Sequence, residues 1–276
     1  MNILVTGAAG QVGVHVCRHL LASGHRLTAT DLRDPGNLPI PVQVVDLLDR
    51  EAVRHLVDGH DTVVHLGNHA RPRGLPDPRQ LYRENVAMNL HVFDAAVDAG
   101  VKTILFASSI QVVLGSFALT GRDGRFPPPL PLDGDTPPLP ANHYGLSKQT
   151  GEIYLAHLAH VHPLRAIALR LPWIVESPEV AFDTASRLGE RAGLDTLIAF
   201  LTTADTARLV TAILQTHIPG YRCYQAASRA NSANLPAPEA HARFFSLFPL
   251  KSPTSPLSTL IDLTPLTRDT AWTPSS

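Results

Sequence analysis

Tyr144 and Lys148 stand four residues apart in NHYGLSK, so on a helix they project from one face. A free tyrosine titrates at about pH 10 and transfers protons poorly at neutrality. An ammonium beside it stabilises the phenolate and moves the group toward useful acid–base work. Asn142 precedes the pair as a helix N-cap, which puts both side chains in the first turns. The alternative is a packing tyrosine beside a solvated lysine. A third group could decide between them. The run KTILFASS ends in Ser108 and Ser109, and open parallel sheets bind ligands at the carboxyl ends of their strands. A hydroxyl there would orient an alcohol or carbonyl for the tyrosine, or the two serines would simply satisfy the strand end.

A second constellation lies at the N-terminus. VTGAAGQVG follows an apolar run and opens a helical one, the context in which a glycine motif binds phosphate. Gly7 would make the tight turn, Gly10 admit a pyrophosphate to the backbone, and Gly13 pack helix against sheet. The spacing is Gly-x-x-Gly-x-x-Gly, and the helix N-terminus adds unpaired N–H groups and partial positive charge. Asp31 closes the second strand, where an acid binds the adenosine ribose hydroxyls. Its carboxylate would repel a 2′-phosphate, favouring NAD over NADP, while Arg33 two residues on would soften that preference. Asp31 could instead be a turn residue. Asp46 either reaches the adenine or caps the helix that begins nearby.

The elements that must position these groups alternate along the chain. Strands are predicted at NILVT, RLTATD, VQVVD, TVVHL, KTILFAS and AIALRL. Helices are predicted at QVGVHVCRHLLAS, DREAVRHLVD, RQLYRENVAMNLHVFDAAVDA and GLSKQTGEIYLAHLA. This is the pattern of a doubly wound α/β fold with a mainly parallel sheet. The rhythm weakens after Pro172, so the chain is expected to divide into a dinucleotide-binding domain, 1–172, and a small substrate-capping lobe, 173–276, that returns a strand and a helix to the core. The stretch 126–140 is too proline-dense for a helix or central strand, leaving a rigid spacer or a pocket wall. The tail from Lys251, rich in Ser, Thr and Pro, is expected to wrap the surface.

Bulk composition limits the partners. The 276 residues are 44% hydrophobic and 17% charged, a folded composition, and the net charge of −1 supplies no field for nucleic acid. No apolar run reaches membrane-spanning length, and MNILVTG reads as a first strand and not a signal peptide. Two distant cysteines, Cys17 and Cys223, suggest no disulfide framework and a cytoplasmic setting.

TGAAGQVG, Asp31, VVHLGN, FASS, YGLSK and ALRLP occur in the order of an extended short-chain dehydrogenase/reductase, and the chain resembles the NAD-dependent epimerase/dehydratase family of that group. The resemblance implies a Rossmann fold and an NAD-dependent oxidoreductase acting on a sugar or sugar derivative. It assigns Tyr144 as general acid/base, Lys148 as ribose anchor and Ser109 as the substrate-orienting hydroxyl. It assigns Gly7, Gly10, Gln11, Val12 and Gly13 to the pyrophosphate end, Asp31 to the ribose and Asp46 with Leu47 to the adenine. Leu66, Gly67 and Pro172 would flank the cofactor, and Asn85 would be the buried asparagine of the long helix. A homodimer through the two long helices is a further implication, as is an epimerase with tightly bound NAD. A non-catalytic NAD(P)-sensing protein is the rival of another class, since fold does not dictate function.

Several residues depart from the family pattern. Leu114 stands before Gly115 where a tyrosine is usual, and Ile110 and Gln111 occupy the place of the acid pair of sugar dehydratases. HLGNHA and LIAFLTTADTARLV are similar to segments of uronate dehydrogenases. Those enzymes carry an arginine where counting back from Phe200 gives Asp195, and Arg187 or Arg191 would need a gap. A uronate is therefore not the expected substrate. The pairs His15/His19 and His157/His160 share helix faces, but with no third ligand nearby no metal is expected. Cys17 reads as a small buried hydrophobe. His69, Arg71, Arg73 and His143 are either pocket residues or solvated ones.

Overall fold

The computed structural model describes residues 1–70, 77–114, 127–189, 193–252, 254 and 257–275. Arg71, Arg73, Gly115 and Arg191 lie outside them, as does residue 126 of the proline-rich stretch. The order is β1 (Asn2–Thr6), α1 (Gln11–Ala22), β2 (Arg26–Asp31), β3 (Val42–Val44), α2 (Arg50–Val57), β4 (Thr62–His65), α3 (Pro78–Asp98), β5 (Thr103–Ser109), α4 (His143–Val161), β6 (Arg165–Leu171) and β7 (Trp173–Val175). There follow α5 (Pro178–Leu188), β8 (Phe200–Thr202), α6 (Thr203–Leu214), β9 (Tyr221–Gln225), α7 (Ala237–Phe244) and α8 (Thr264–Thr270). Single 3₁₀ turns occupy Ile110–Val112 and Leu194–Thr196.

Seven strands form one all-parallel sheet in the order β3-β2-β1-β4-β5-β6-β9. The chain runs outward from β1 through β2 and β3, then resumes on the other side at β4, so the carboxyl end of β1 is a topological switch point. The central strands are buried on both faces, which is why they read as continuous β-branched runs. Ile3 and Val5 of β1 pack with Val16, Leu20, Leu209 and Ile213 of α1 and α6. Leu4, from the same strand, packs with Val53, Phe93, Phe106 and Leu155 beneath α2, α3 and α4. Helices on both faces of a parallel sheet make this a Rossmann-like α/β fold.

After Pro172 the chain forms a separate pair, β7 with β8, before α6 and β9 return to the main layers. A third apolar cluster joins Ile110, Val112 and Leu114 to Leu197, Ile198, Phe245, Phe248 and Ile261. One expectation changes here, and one pair of alternatives is decided for the described residues. The tail does not merely wrap the surface: Leu257, Leu260, Ile261, Leu266 and Trp272 are buried, because apolar residues punctuate its Ser/Thr/Pro background. The described part of the proline-rich stretch is a strap and not a wall of the cleft. Leu130 and Leu132 are buried and bridge to Leu250 and Ile261, and Arg170 Nη1 donates to the carbonyls of Gly134 and Thr136 at 3.3 and 2.8 Å.

Candidate active site

Ser108 and Ser109 are adjacent in sequence and opposite in fate, because successive side chains of a strand leave on opposite faces. Ser108 Oγ donates to the buried carboxylate of Glu152, which also forms a two-pronged ion pair with Arg170 at 3.0 and 2.8 Å. Ser109 Oγ instead accepts from the backbone N–H of Gln111 at 3.2 Å, capping the 3₁₀ turn after β5. Both serines line the larger cavity, but the hydroxyl proton of Ser108 goes to Glu152 while that of Ser109 is left available to a ligand there. Among the two candidate serines, geometry therefore favours Ser109 for contact and Ser108 for structure.

Asn142 caps α4 through Oδ1, which accepts from the N–H of Gly145 at 2.8 Å. Tyr144 and Lys148 leave the first turns of that helix toward the same cavity. Gly145 allows the approach: a Cβ there would stand 2.3 Å from the carbonyl oxygen of Gln111, so no other residue fits without moving helix or turn. Lys148 is 3% exposed, and its ammonium donates to Asn68 Oδ1 and the Ala107 carbonyl, both at 2.7 Å. Its Nζ lies 5.7 Å from the centre of the Tyr144 ring, near enough to stabilise a phenolate. Burial pulls the lysine pKa down from 10.5 to about 7, opposed by the Glu152 carboxylate one turn on.

The glycine turn sits at the carboxyl end of β1. Gly7 has a φ of +69°, and an added Cβ would meet the backbone of Leu66 and Gly67 at 2.7–2.9 Å. Gly10 stands as the N-cap of helix α1 and brings no side-chain cap, so the helix N-terminus is left to an anion. The cleft above has two connected parts that share Gly7, Gly10, Leu66 and Asn68. One is lined by Asp31, Arg33, Asp46, Leu47 and Gly67; the other, of about 1270 Å³, by Gln11, Val12, Gly13, Ser109, Tyr144, Lys148 and Pro172. These residues, far apart in the chain, thus meet along one groove.

Asp31 is more than a turn residue, since its carboxylate accepts from the N–H groups of Ala9 and Leu32 and so ties the end of β2 to the glycine turn. Asp46 does not cap α2; Asp49 does, accepting from Ala52, while Asp46 accepts from Leu48 and faces the cleft. Asn85 is not a cleft residue. It is wholly buried, with its amide committed to the backbone of His69 and to Ser147, whose hydroxyl donates to the Tyr144 carbonyl. Its reach to the site is therefore indirect, through the helix that carries the tyrosine. His69 also pairs with Glu84 at 2.7 Å, and His143 lines the cavity. Cys17 is buried with its thiol pushed up to about 12 by desolvation.

Three contributors were not evident from sequence. Asn68 closes the quoted VVHLGN, yet nothing in the sequence marked it as a partner of Lys148. Glu152 lies four residues beyond Lys148 on a buried face, a spacing that could have flagged it. Gln111 joins three segments: its Oε1 accepts from Asn142 Nδ2 at 2.8 Å, and its Nε2 donates to the Asp195 carbonyl and carboxylate at 2.9 and 3.2 Å. Asp195 rides a strained turn, with Gly193, Leu197 and Ile198 all at positive φ. A β-branched residue in that region costs about 1–3 kcal/mol, offset here by burial of Leu197 and Ile198 against Val112 and Leu114. Among the described residues, no group of three or more His, Cys, Asp or Glu is placed to hold a metal ion, and no helix is long and apolar enough to cross a membrane.

A glycine turn at the switch point of a parallel sheet, with tyrosine, lysine and serine facing the same groove, defines a Rossmann-type oxidoreductase of the short-chain dehydrogenase/reductase kind. The chain belongs to the NAD dependent epimerase/dehydratase family, whose model matches residues 3–187, and is an NAD-dependent enzyme of that family. It is 33% identical over 185 residues to the L-arabinose 1-dehydrogenase (NAD(P)(+)) of Haloferax volcanii, covering 65% of this chain and 69% of that one. It is 29% identical over 202 residues to a uronate dehydrogenase of Pseudomonas syringae pv. tomato, covering 69% of each. The structure of uronate dehydrogenase from Agrobacterium tumefaciens superposes with a TM-score of 0.65 at 25% identity, over 90% of this chain and 84% of that one.

Proposed function

We propose that the protein is a sugar dehydrogenase that oxidises a ring hydroxyl of a small, free sugar, with Tyr144 as general base. The observation that carries the reading is the convergence of Ser109, Tyr144 and Lys148 on one cavity continuous with the glycine turn. The residues present suit a dinucleotide: the uncapped start of α1 and the glycine cradle would hold the pyrophosphate, Asp31 the adenosine ribose, Asp46 and Leu47 the adenine side, and Lys148 the nicotinamide ribose. NAD bound there would supply a hydride acceptor. The chain supplies the rest. Ser109 donates a hydrogen bond to the substrate oxygen and orients it, Tyr144 takes the hydroxyl proton, and the Lys148 ammonium stabilises the phenolate that accepts it. Residues 1–172 would form the cofactor-binding domain and 173–276 the lobe that covers the sugar. Asp31 favours NAD over NADP. Exposed Leu146 and Ile153 on α4 are suited to a homodimer through the long helices.

The test is a rise of absorbance at 340 nm (from accumulating NADH) when purified protein, NAD and a panel of aldoses and uronates are mixed. A steady rise with one of them supports the dehydrogenase. Protein-bound NAD that is never released as NADH, with an isomerised sugar product, would replace it by an epimerase. Cofactor binding with neither outcome would leave the sensor.

A further inference from the structure

Lys148 brings a buried ammonium to the groove, and a buried ammonium needs acceptors. Two of its N–H groups go to neutral ones, Asn68 Oδ1 and the Ala107 carbonyl, both at 2.7 Å. Among the described residues no carboxylate pairs with it, because Glu152 on the next turn is taken by Ser108 and Arg170. Asn68 is itself held in place: its backbone N–H donates to the Leu66 carbonyl and its Nδ2 to that of Gly67, both at 3.0 Å. Oδ1 is then the atom left to face the lysine. Asn68 lines both parts of the groove, so this contact stands where they join.

We infer that Asn68 is a positioning residue for the proton transfer, holding the Lys148 ammonium beside Tyr144 without cancelling its charge. An acid in its place would make the same bond but neutralise the field at the phenol. An apolar residue would leave the buried ammonium one acceptor short. The inference takes its chemistry from the dehydrogenase reading, but the coupling itself can be measured with no sugar present. The other titratable groups around the pair stay the same in such variants. They are Glu152 on α4, His65 on β4, which burial keeps neutral, and the bonded pair His69 and Glu84. His143 and Asp195 share the cavity with Tyr144, and the buried amides of α3, Asn85 and Asn89, carry no charge.

The lysines of the chain are Lys102, Lys148 and Lys251, so the ε-carbon NMR signal of Lys148 can be assigned with Lys148→Arg and followed against pH in the full chain. The phenol is followed by ultraviolet absorbance, as the difference between each protein and the same protein carrying Tyr144→Phe. Asn68→Asp should raise the midpoint of Lys148 and, by about one pH unit, that of Tyr144, because the phenolate then faces a compensated ammonium. Asn68→Leu, of similar shape, should lower the Lys148 midpoint by about one unit. Where a sugar is oxidised, the rising limb of kcat against pH should move up with Tyr144 in Asn68→Asp. A residue that merely packs would shift the thermal midpoint and neither titration. A Tyr144 midpoint unmoved by Asn68→Asp, or a Lys148 midpoint unmoved by Asn68→Leu, overturns the inference, and either variant decides if the other does not fold. Failure to oxidise any sugar counts against the dehydrogenase reading alone.

Discussion

The two ends of the cleft are built by different means. At the nucleotide end, Gly7, Asp31, Asp46 and Gly67 each stand at or just past the carboxyl end of a neighbouring parallel strand, so the sheet itself brings them together. At the substrate end, Ser109 comes from β5, Tyr144 from α4 and Asp195 from a turn before β8, and a single glutamine bridges the three segments. The first arrangement follows from fold topology. The second depends on side-chain contacts and on a strained turn anchored in a satellite apolar cluster. A binding end can therefore stay constant while the reacting end is rebuilt around it.

The sharpest separation of the two ends comes from Tyr144→Phe. Removing the phenolic oxygen takes away the proton acceptor and leaves the glycine turn, Asp31 and Lys148 in place. The expected loss in kcat is about 10²–10⁴-fold, the range for general acid–base groups. NADH affinity, read by fluorescence titration, should move by less than about threefold, since the residues of the nucleotide end are untouched. A variant that keeps kcat would show that the helix only packs.

The same division explains what could be read without coordinates. The nucleotide end was legible because glycine turn, strand and acid are close in sequence and obey the short-range geometry of a βαβ unit. Tyr144, Lys148 and the Asn142 cap were legible as a helix face. The bond between Gln111 and Asp195 was not, although each position had been noted, because 84 residues separate them and no local period joins them. Glu152 and Arg170 escaped for a related reason, since charged residues in apolar runs look like solvated breaks until their buried pairing is seen. The tail misled because composition reports the majority of residues while burial is decided by the few apolar ones.

Lys148 tests whether the substrate end sacrifices stability for chemistry. Its folded pKa, lowered by burial to about 7, lies below its unfolded value of 10.5. Between those values the unfolded chain binds more protons than the folded one, so this group's contribution to stability rises with pH through that window. Below it the folded state carries a buried ammonium at full cost. Lys148→Met should therefore raise the thermal midpoint at pH 6, with an advantage that shrinks toward pH 10, while turnover is lost. A midpoint that falls equally at both pH values would mean that the bonds to Asn68 and Ala107 outweigh the burial.

The smallest expected effect lies at the other end and asks whether that end is as modular as its construction suggests. Asp31→Asn removes the negative charge facing the ribose but keeps the shape, and Arg33 in the same wall is then unopposed. The ratio of kcat/KM for NAD to that for NADP should fall by about tenfold, nearly all of it through KM. The kcat with NAD should stay within about twofold, because no proton-transfer group is touched. One cost is expected: Asn has a single acceptor oxygen, so either Ala9 or Leu32 loses its bond and stability drops by about 1 kcal/mol. If kcat fell along with the cofactor preference, the glycine turn and the tyrosine helix would be mechanically coupled across the groove, and the two ends could not be treated as separate devices.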